Sequence, residues 1–254
     1  MPGKYTSTYE KHAAMRLRRY SLSLLAICSL LLLSACLKNK DNNDVNIVSA
    51  LSVVHASASA PAIDFVLDRQ KVNNQAFEYG DRIHYFGVYS GRWNAAFYEE
   101  NSYSQPLLET SIQVQNGLYY TLFFIGDEET PEGLLLEDDI SKPDSNKATL
   151  RFVNLSTHAG SVDFFWGEET LASQKAYKEY TSFQIIDAGK QTVEISAKQG
   201  TITRNFNFRE GHVYTIWLKD VLESADTQIQ APLLDMELID HVRDLEAQQG
   251  ADVL

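Results

Sequence analysis

Leu51-Ser-Val-Val-His-Ala-Ser57 returns 99 residues later as Leu150-Arg-Phe-Val-Asn-Leu-Ser156. With the same shift and no gap, Ala62-Ile-Asp-Phe-Val-Leu67 falls on Ser161-Val-Asp-Phe-Phe-Trp166. Leu, Val, Ser, Asp and Phe coincide. Further on, Ser90-Gly91-Arg92 matches Ala188-Gly189-Lys190, and Asn116-Gly-Leu-Tyr-Tyr-Thr-Leu122 matches Glu210-Gly-His-Val-Tyr-Thr-Ile216. The shift drifts as loops change length while strands do not. A fixed period of this kind marks a duplicated structural unit, and each copy is long enough for one small core.

Both copies read as β. Val193, Ile195 and Ala197 alternate with Thr192, Glu194 and Ser196, and Ile112 and Val114 alternate with Ser111, Gln113 and Gln115. A period of two is the mark of a strand with one buried face. Tyr120–Ile125 and Tyr214–Leu218 are more continuously apolar, which suits central strands. Asn116-Gly117 predicts a hairpin, because both residues tolerate positive φ; Gly91, Gly189 and Gly211 predict further turns. The expected fold is all-β: two tandem Greek-key β-sandwich domains, immunoglobulin-like or prealbumin-like, of about seven strands each. The predicted boundaries are 48–140 for the first domain, 141–147 for a linker holding Pro143-Asp-Ser-Asn146, 148–242 for the second domain, and 243–254 for a polar tail.

The stretch before the repeat has a different character. Arg16, Arg18 and Arg19 precede an apolar run from Leu22 to Leu33, which Ser34-Ala35-Cys36 closes. Basic residues, a short apolar segment and small residues before a cut site form the plan of a secretory signal. The run is shorter than the roughly 20 residues a bilayer demands. Cysteine after Leu-Ser-Ala resembles a bacterial lipoprotein signal, in which the thiol is acylated and becomes the new N-terminus. Residues 1–35 are thus predicted to be a lipoprotein signal peptide, with Met15 a more typical start than Met1, and Cys36 the lipidation site. Residues 36–47 are predicted to be a flexible tether. The expected localisation is the cell envelope, as an outer-membrane lipoprotein facing the periplasm or the cell surface.

Cys28 leaves with the signal and Cys36 carries lipid, so the mature chain keeps no thiol for a disulfide, a zinc site or a nucleophile. Removing 1–35 takes away Lys4, Lys11, Arg16, Arg18, Arg19 and Glu10. The remainder has 17 basic and 33 acidic residues, a net charge of −16. Such a surface repels nucleic acid and anionic membrane.

The opening Leu-Ser-Val-Val-His-Ala-Ser-Ala-Ser-Ala-Pro-Ala-Ile-Asp-Phe and the later Asn-Gly-Leu-Tyr-Tyr-Thr resemble the family called domain of unknown function 4397. The second copy is similar through Leu150-Arg-Phe-Val-Asn-Leu-Ser, Val162-Asp-Phe and Gly211-His-Val-Tyr-Thr. It departs at Ala159-Gly160, where the first copy has Ala60-Pro61, and at Lys178-Glu179, where the first has Tyr79-Gly80. The resemblance implies bacterial envelope proteins built of β-sandwich modules, often in tandem, and no reaction.

Candidate functional residues are few. Asp64 and Asp163 recur at one place on a strand, pointing away from Ile63, Phe65 and Leu67 or from Val162, Phe164 and Trp166. Each is a candidate ligand contact; the plainer expectation is a carboxylate accepting loop N–H bonds. Trp93, with Tyr98, Tyr103 and Tyr89 near it in sequence, is a candidate sugar-stacking or partner-anchoring group, against a plainer role in packing. Trp166 and Trp217 are expected in cores. The acids of Glu128-Glu129, Glu137-Asp138-Asp139 and Glu168-Glu169 are expected to be solvated loop charge, without the spacing of a calcium loop. His55 and His158 are expected at the surface. No His-Glu-x-x-His, Gly-x-Ser-x-Gly or phosphate-loop pattern occurs. No catalytic residue, metal or cofactor is assigned. The leading expectation is a non-catalytic, lipid-anchored envelope protein that binds or scaffolds a glycan or an envelope protein. The alternatives are an accessory hydrolase with a site between the domains, and a structural spacer.

Overall fold

A computed structural model of the chain describes residues 48–221 and 233–251. The signal segment, Cys36 and the tether lie outside the described residues. The first sandwich consists of β1 (Ser49–His55), β2 (Ile63–Leu67), β3 (Gln70–Lys71), β4 (Arg82–Val88), β5 (Gly91–Glu99), β6 (Leu108–Val114), β7 (Tyr119–Gly126) and β8 (Pro131–Asp138). The second consists of β9 (Lys147–Asn154), β10 (Val162–Trp166), β11 (Glu169–Lys175), β12 (Gln184–Asp187), β13 (Gly189–Ala197), β14 (Gly200–Phe208), β15 (Val213–Val221) and β16 (Leu233–Asp240). A helix, α1 (His241–Ala251), follows.

The sheets run β4-β1-β7-β8 and β3-β2-β5-β6 in the first copy, and β12-β9-β15-β16 and β11-β10-β13-β14 in the second. Lettered A to H within each copy, both are DAGH over CBEF. An immunoglobulin sandwich would place A, B, E and D together, so the prealbumin-like alternative is the one realised, with eight strands per copy rather than about seven. Pairing is antiparallel except for A with G: β1 with β7 and β9 with β15 run parallel.

Asn116-Gly117 is not a hairpin. Gly117 has φ 75°, as the sequence predicts. Yet β6 and β7 lie in different sheets, because Ile112 and Val114 on one strand and Tyr120 and Leu122 on the next face the same core from opposite sides. Gly91, Gly189 and Gly211 mark inter-sheet corners of the same kind.

The two DAGH sheets are buried on both faces. In β7, Tyr120, Leu122 and Phe124 enter the first sandwich's core, whereas Phe123 and Ile125 enter a middle core. In β15, Tyr214, Ile216 and Leu218 enter the second sandwich's core, whereas Trp217 joins the middle one. The middle core also takes Val54, Ala56 and Leu136 from the first copy and Val153, Leu155 and Ile239 from the second. The result is four layers and three cores, with the two DAGH sheets back to back. This explains the more continuous apolar runs: alternate residues serve different cores. Trp166 and Trp217 are both buried, as expected.

One end of the middle layer is polar, and it is closed. The Arg151 guanidinium, 2% exposed, donates to Asp138 Oδ1 at 2.5 Å, to the Glu137 carbonyl at 2.9 Å and to Thr215 Oγ1 at 3.2 Å. Asp138 Oδ2 accepts from Tyr85 at 2.7 Å and from Thr121 at 2.6 Å. His241, at the start of α1, lies 2.8 Å from Thr215 Oγ1 through Nε2 and 2.7 Å from Tyr85 Oη through Nδ1. One arrangement of protons satisfies the ring. Arg151 donates to Thr215, Thr215 to Nε2 of neutral His241, Nδ1–H to Tyr85, and Tyr85 to Asp138, which Arg151 also holds. Burial pulls the His241 pKa down to about 4, and burial with the Asp138 charge pushes the Tyr85 hydroxyl well up.

Three expectations are corrected here. Asp138, in the acidic run expected to be solvated, closes strand β8 and is 3% exposed. His55 is fully buried among Phe77, Tyr79 and Phe124, its Nε2 3.0 Å from the Pro61 carbonyl. The segment predicted as a polar tail begins within α1, with Asp244 buried against Arg82 of the first copy.

Removing one member of a buried ion pair strands the other charge, at about 3–5 kcal/mol. Arg151→Ala and Asp138→Ala are each expected to lose that much in chemical denaturation. The double variant is expected to lose less than the sum, by about 0.5–3 kcal/mol; strict additivity would refute the coupling. The ring also sets a pH dependence. With His241 at 6.5 unfolded and about 4 folded, the unfolded chain binds more protons between those values. Stability is complete above about pH 6.5 and falls by up to about 3 kcal/mol as pH drops toward 4. Buried His55 is shifted in the same direction. Denaturant midpoints between pH 7 and 4.5 should follow this slope, and His241→Gln should flatten it.

Candidate functional site

Asp64, Tyr98 and Tyr103 come together on the outer face of the first CBEF sheet. Ile63, Phe65 and Leu67 point into the core, which turns Asp64 outward, and register places Asp64 opposite Tyr98. Asp64 points away from the core, yet it is 0% exposed. Four groups cover its carboxylate: Lys71 Nζ at 2.6 Å, the Tyr103 hydroxyl at 2.5 Å, the Asn101 backbone N–H at 3.1 Å and the Asn73 amide at 3.3 Å. Burial would raise the carboxyl pKa, but the hydrogen bonds from Lys71, Tyr103, Asn101 and Asn73 outweigh it and bring it to about 2. The Asp64 hydrogen bond raises the Lys71 pKa in turn.

Tyr103 remains 53% exposed, and its ring lies 5.5 Å from that of Tyr98. Two tyrosines beside an ammonium and an anchored carboxylate make a small amphipathic platform. Trp93 does not belong to it. Positions 93, 95 and 97 of β5 face the core while 94, 96 and 98 face outward, so Trp93 and Tyr98 stand on opposite sides of one sheet. The Trp93 ring packs on the first core, and its Nε1 donates to the Tyr89 carbonyl at 2.9 Å.

Asp163 repeats the position but not the cluster. It accepts the Gln174 backbone N–H at 2.8 Å, at a residue with φ 54°. Gln174 lies within β11, where the register against β10 shifts, so Asp163 braces a strand irregularity, and the expected bond to a loop N–H is found at Asp64 instead, from Asn101. The equivalents of Lys71 and Tyr103 are missing, so the platform is a property of the first copy alone.

A Ser-His-Asp constellation, which the sequence reading missed, borders a cleft between the two copies, where Ala56, Ala58 and Asp127 face Thr157, His158 and Asp220, with Ser156 itself buried behind the lining. The residues are sequence-distant: Ser156 and His158 follow β9, and Asp220 is on β15. Its bonding is that of a loop brace. Ser156 Oγ donates to Asp220 and accepts the backbone N–H groups of His158 at 3.2 Å and Ala159 at 2.8 Å. His158 Nδ1 lies 3.2 Å from the same carboxylate. A nucleophilic serine gives its proton to the imidazole; here the proton is held by Asp220 directly. Among the described residues, no three His, Cys, Asp or Glu side chains are grouped to hold a metal ion.

A family model described as a domain of unknown function, DUF4397, matches residues 49–165. Over those residues the chain is similar to that family. The DUF4397 match takes in the whole first sandwich, including the Asp64 platform, and runs on through β9 into β10 of the second. It therefore contains both Asp138 and Arg151, the pair that joins the copies. No curated protein matches the chain. Among solved structures, a Bacteroides uniformis protein described as a "putative cell adhesion protein" aligns at 8% identity over 76% of this chain and 99% of its own, with a TM-score of 0.20. A score that low carries no argument about fold or role.

The two aspartates should respond differently to removal. Asp64→Ala uncovers a buried amide and a cation, a loss of about 1–3 kcal/mol. Asp163→Ala frees one exposed N–H and should stay within about 0.5 kcal/mol. Thermal melts of the two variants test the contrast, and equal losses would contradict it.

Proposed function

We propose that this protein is a non-catalytic envelope protein, anchored by lipid at Cys36 in the outer membrane, whose fused pair of sandwiches presents a binding face to a glycan or an envelope protein. The observation that carries the reading is the use made of polar residues. Asp138, Arg151, His241, Ser156 and Asp220, the groups from which a reactive site between the copies would be built, are engaged in bonds that hold strands and loops together. What stays exposed is the Tyr103 ring beside Tyr98 and Lys71, whose polar groups are oriented by Asp64 and whose flat faces suit a sugar. The negative net charge of the predicted mature chain argues against nucleic acid as the partner. The accessory-hydrolase reading has one feature in its favour, the Ser156–His158–Asp220 cleft, and turnover of any ester or glycoside lost in Ser156→Ala would establish it instead.

Two measurements test the proposal. Cys36→Ser should move the protein from the membrane to the soluble fraction and abolish acyl mass on the mature N-terminus. On a glycan array run well below the melting transition, Tyr103→Ala should reduce binding about tenfold, although it also uncovers Asp64 at a cost of about 1–3 kcal/mol; Tyr103→Phe, which keeps the ring, should retain most of the stacking. Trp93→Ala should act mainly through stability, because its ring packs on the core. Binding that Tyr103→Ala leaves intact would move the binding face elsewhere.

A further inference from the structure

We propose that Asn116 is a site of spontaneous, one-way modification, where the folded protein converts asparagine to aspartate and isoaspartate at a rate that the Ser49 hydroxyl restrains. Asn116-Gly117 is the only Asn-Gly step in the sequence. It makes the corner between β6 and β7. Asn116 is exposed, and among the described residues its side-chain amide takes part in no hydrogen bond. The amide is therefore free to swing over the next peptide group. Gly117, held at φ 75°, has no Cβ to obstruct that approach.

The chemistry needs only water. The backbone nitrogen of Gly117 attacks Cγ of Asn116, forming a C–N bond and closing a five-membered succinimide. The Cγ–Nδ2 bond breaks, and Nδ2 leaves as ammonia with the proton that Gly117 gives up. Water then opens the ring. Attack at Cγ gives aspartate. Attack at the main-chain carbonyl gives isoaspartate, whose backbone runs through the side chain and is one atom longer. Nothing is oxidised or reduced.

The fold adds a restraint to this chemistry. The attacking nitrogen must shed its hydrogen, and that hydrogen is engaged: the Gly117 N–H donates to Ser49 Oγ at 3.1 Å. Ser49 is 1% exposed, and its own hydroxyl donates to the Gln115 carbonyl at 2.5 Å. One buried side chain thus clips the backbone on both sides of Asn116. The second copy has neither part. Ala148 stands at the position of Ser49, and Glu210-Gly211 at that of Asn116-Gly117, with the Gly211 N–H donating to the Lys147 carbonyl at 2.8 Å. Glutamate has no amide nitrogen to lose, so only one of the two equivalent corners converts.

The consequence falls on β1. The corner closes through the Leu118 N–H, which donates to the Gln115 carbonyl at 3.4 Å, and the Leu118 carbonyl accepts from Ala50 at 3.1 Å. Ala50 also makes the first rung of β1 on β7, opposite Tyr119. An extra backbone atom at position 116 displaces these partners and loosens that end of the parallel pair. Aspartate adds only a charge, on a backbone of ordinary length.

The test is peptide mapping of the chain from residue 36 onward, kept folded in neutral buffer with detergent and sampled over several weeks. The peptide holding Asn116 should gain one dalton and split into aspartate and isoaspartate forms before any other asparagine reacts. Conversion led by another asparagine would overturn the site. Ser49→Ala, which installs the residue that the second copy carries there, should speed conversion about two- to tenfold, the factor that one hydrogen bond of ordinary net strength controls. The unaltered chain in guanidinium chloride, where the same N–H is released, should also convert faster than when folded. That comparison stands whether or not Ser49→Ala folds. Equal rates in either comparison would overturn the restraint. Protein enriched in isoaspartate should melt below Asn116→Asp, which carries the same charge, and equal melting would overturn the effect on β1.

Discussion

A guanidinium and a carboxylate, each contributed by a different sandwich and both shut away from water, govern the assembly of this protein. Arg151 and Asp138 are expensive to bury, and the structure meets that cost by giving every polar atom around them a partner. Thr215, His241 and Tyr85 complete the circuit. An arrangement in which the sandwiches slid or turned against each other would open it. Apolar packing is tolerant of small shifts in register; a closed set of directional bonds is not. The middle core therefore supplies adhesion between the two copies, while the polar ring supplies their alignment.

That division accounts for the different character of the sheets. The DAGH sheets face a sandwich core on one side and the shared layer on the other, so their central strands are buried on both sides, with polar residues such as Arg151 and Thr215 kept for the closed end of the middle layer. The CBEF sheets face water and keep polar alternation, as in β13 and β14. Loops before the D strands tie the copies together in a nearly reciprocal way. The Tyr79 hydroxyl donates to the Asp220 carbonyl at the end of β15. On the other side, Lys178 reaches Glu132 of β8 at 2.8 Å, beside Tyr177, whose hydroxyl burial pushes up to about 12. Reciprocity of this kind is what two copies of one module produce when they meet by the same face.

The architecture was legible because it is repeated and periodic. The coincidence of Leu51, Val54, Ser57, Asp64 and Phe65 with their partners 99 residues on sets the A and B strands of both copies, and alternation sets the rest. What the sequence hid depended on contacts between the copies. Arg151 stands where the first copy has Ser52, an unremarkable difference until the two sheets are placed back to back. Asp138 belonged to an acidic run that looked solvated, and His55 gave no local sign of its aromatic enclosure. Asn116-Gly117 disclosed its backbone conformation but not its destination, since a tight turn and a corner between sheets call for the same residues. Likewise Tyr98 and Trp93 are close along the chain, and strand parity alone divides them.

The parallel pairing of β1 with β7 has a mechanical meaning. β1 opens the folded body, so tension arriving through the preceding residues is delivered to it first. It is bonded along both edges, to β4 and β7, and enclosed on both faces. Pulled along its own axis, it must shear its rungs from Ala50–Tyr119 to His55–Phe124 nearly at once, rather than unzip them in turn. Under the proposed anchoring at Cys36, the strand that takes the load is thus among the hardest places in the described body to peel.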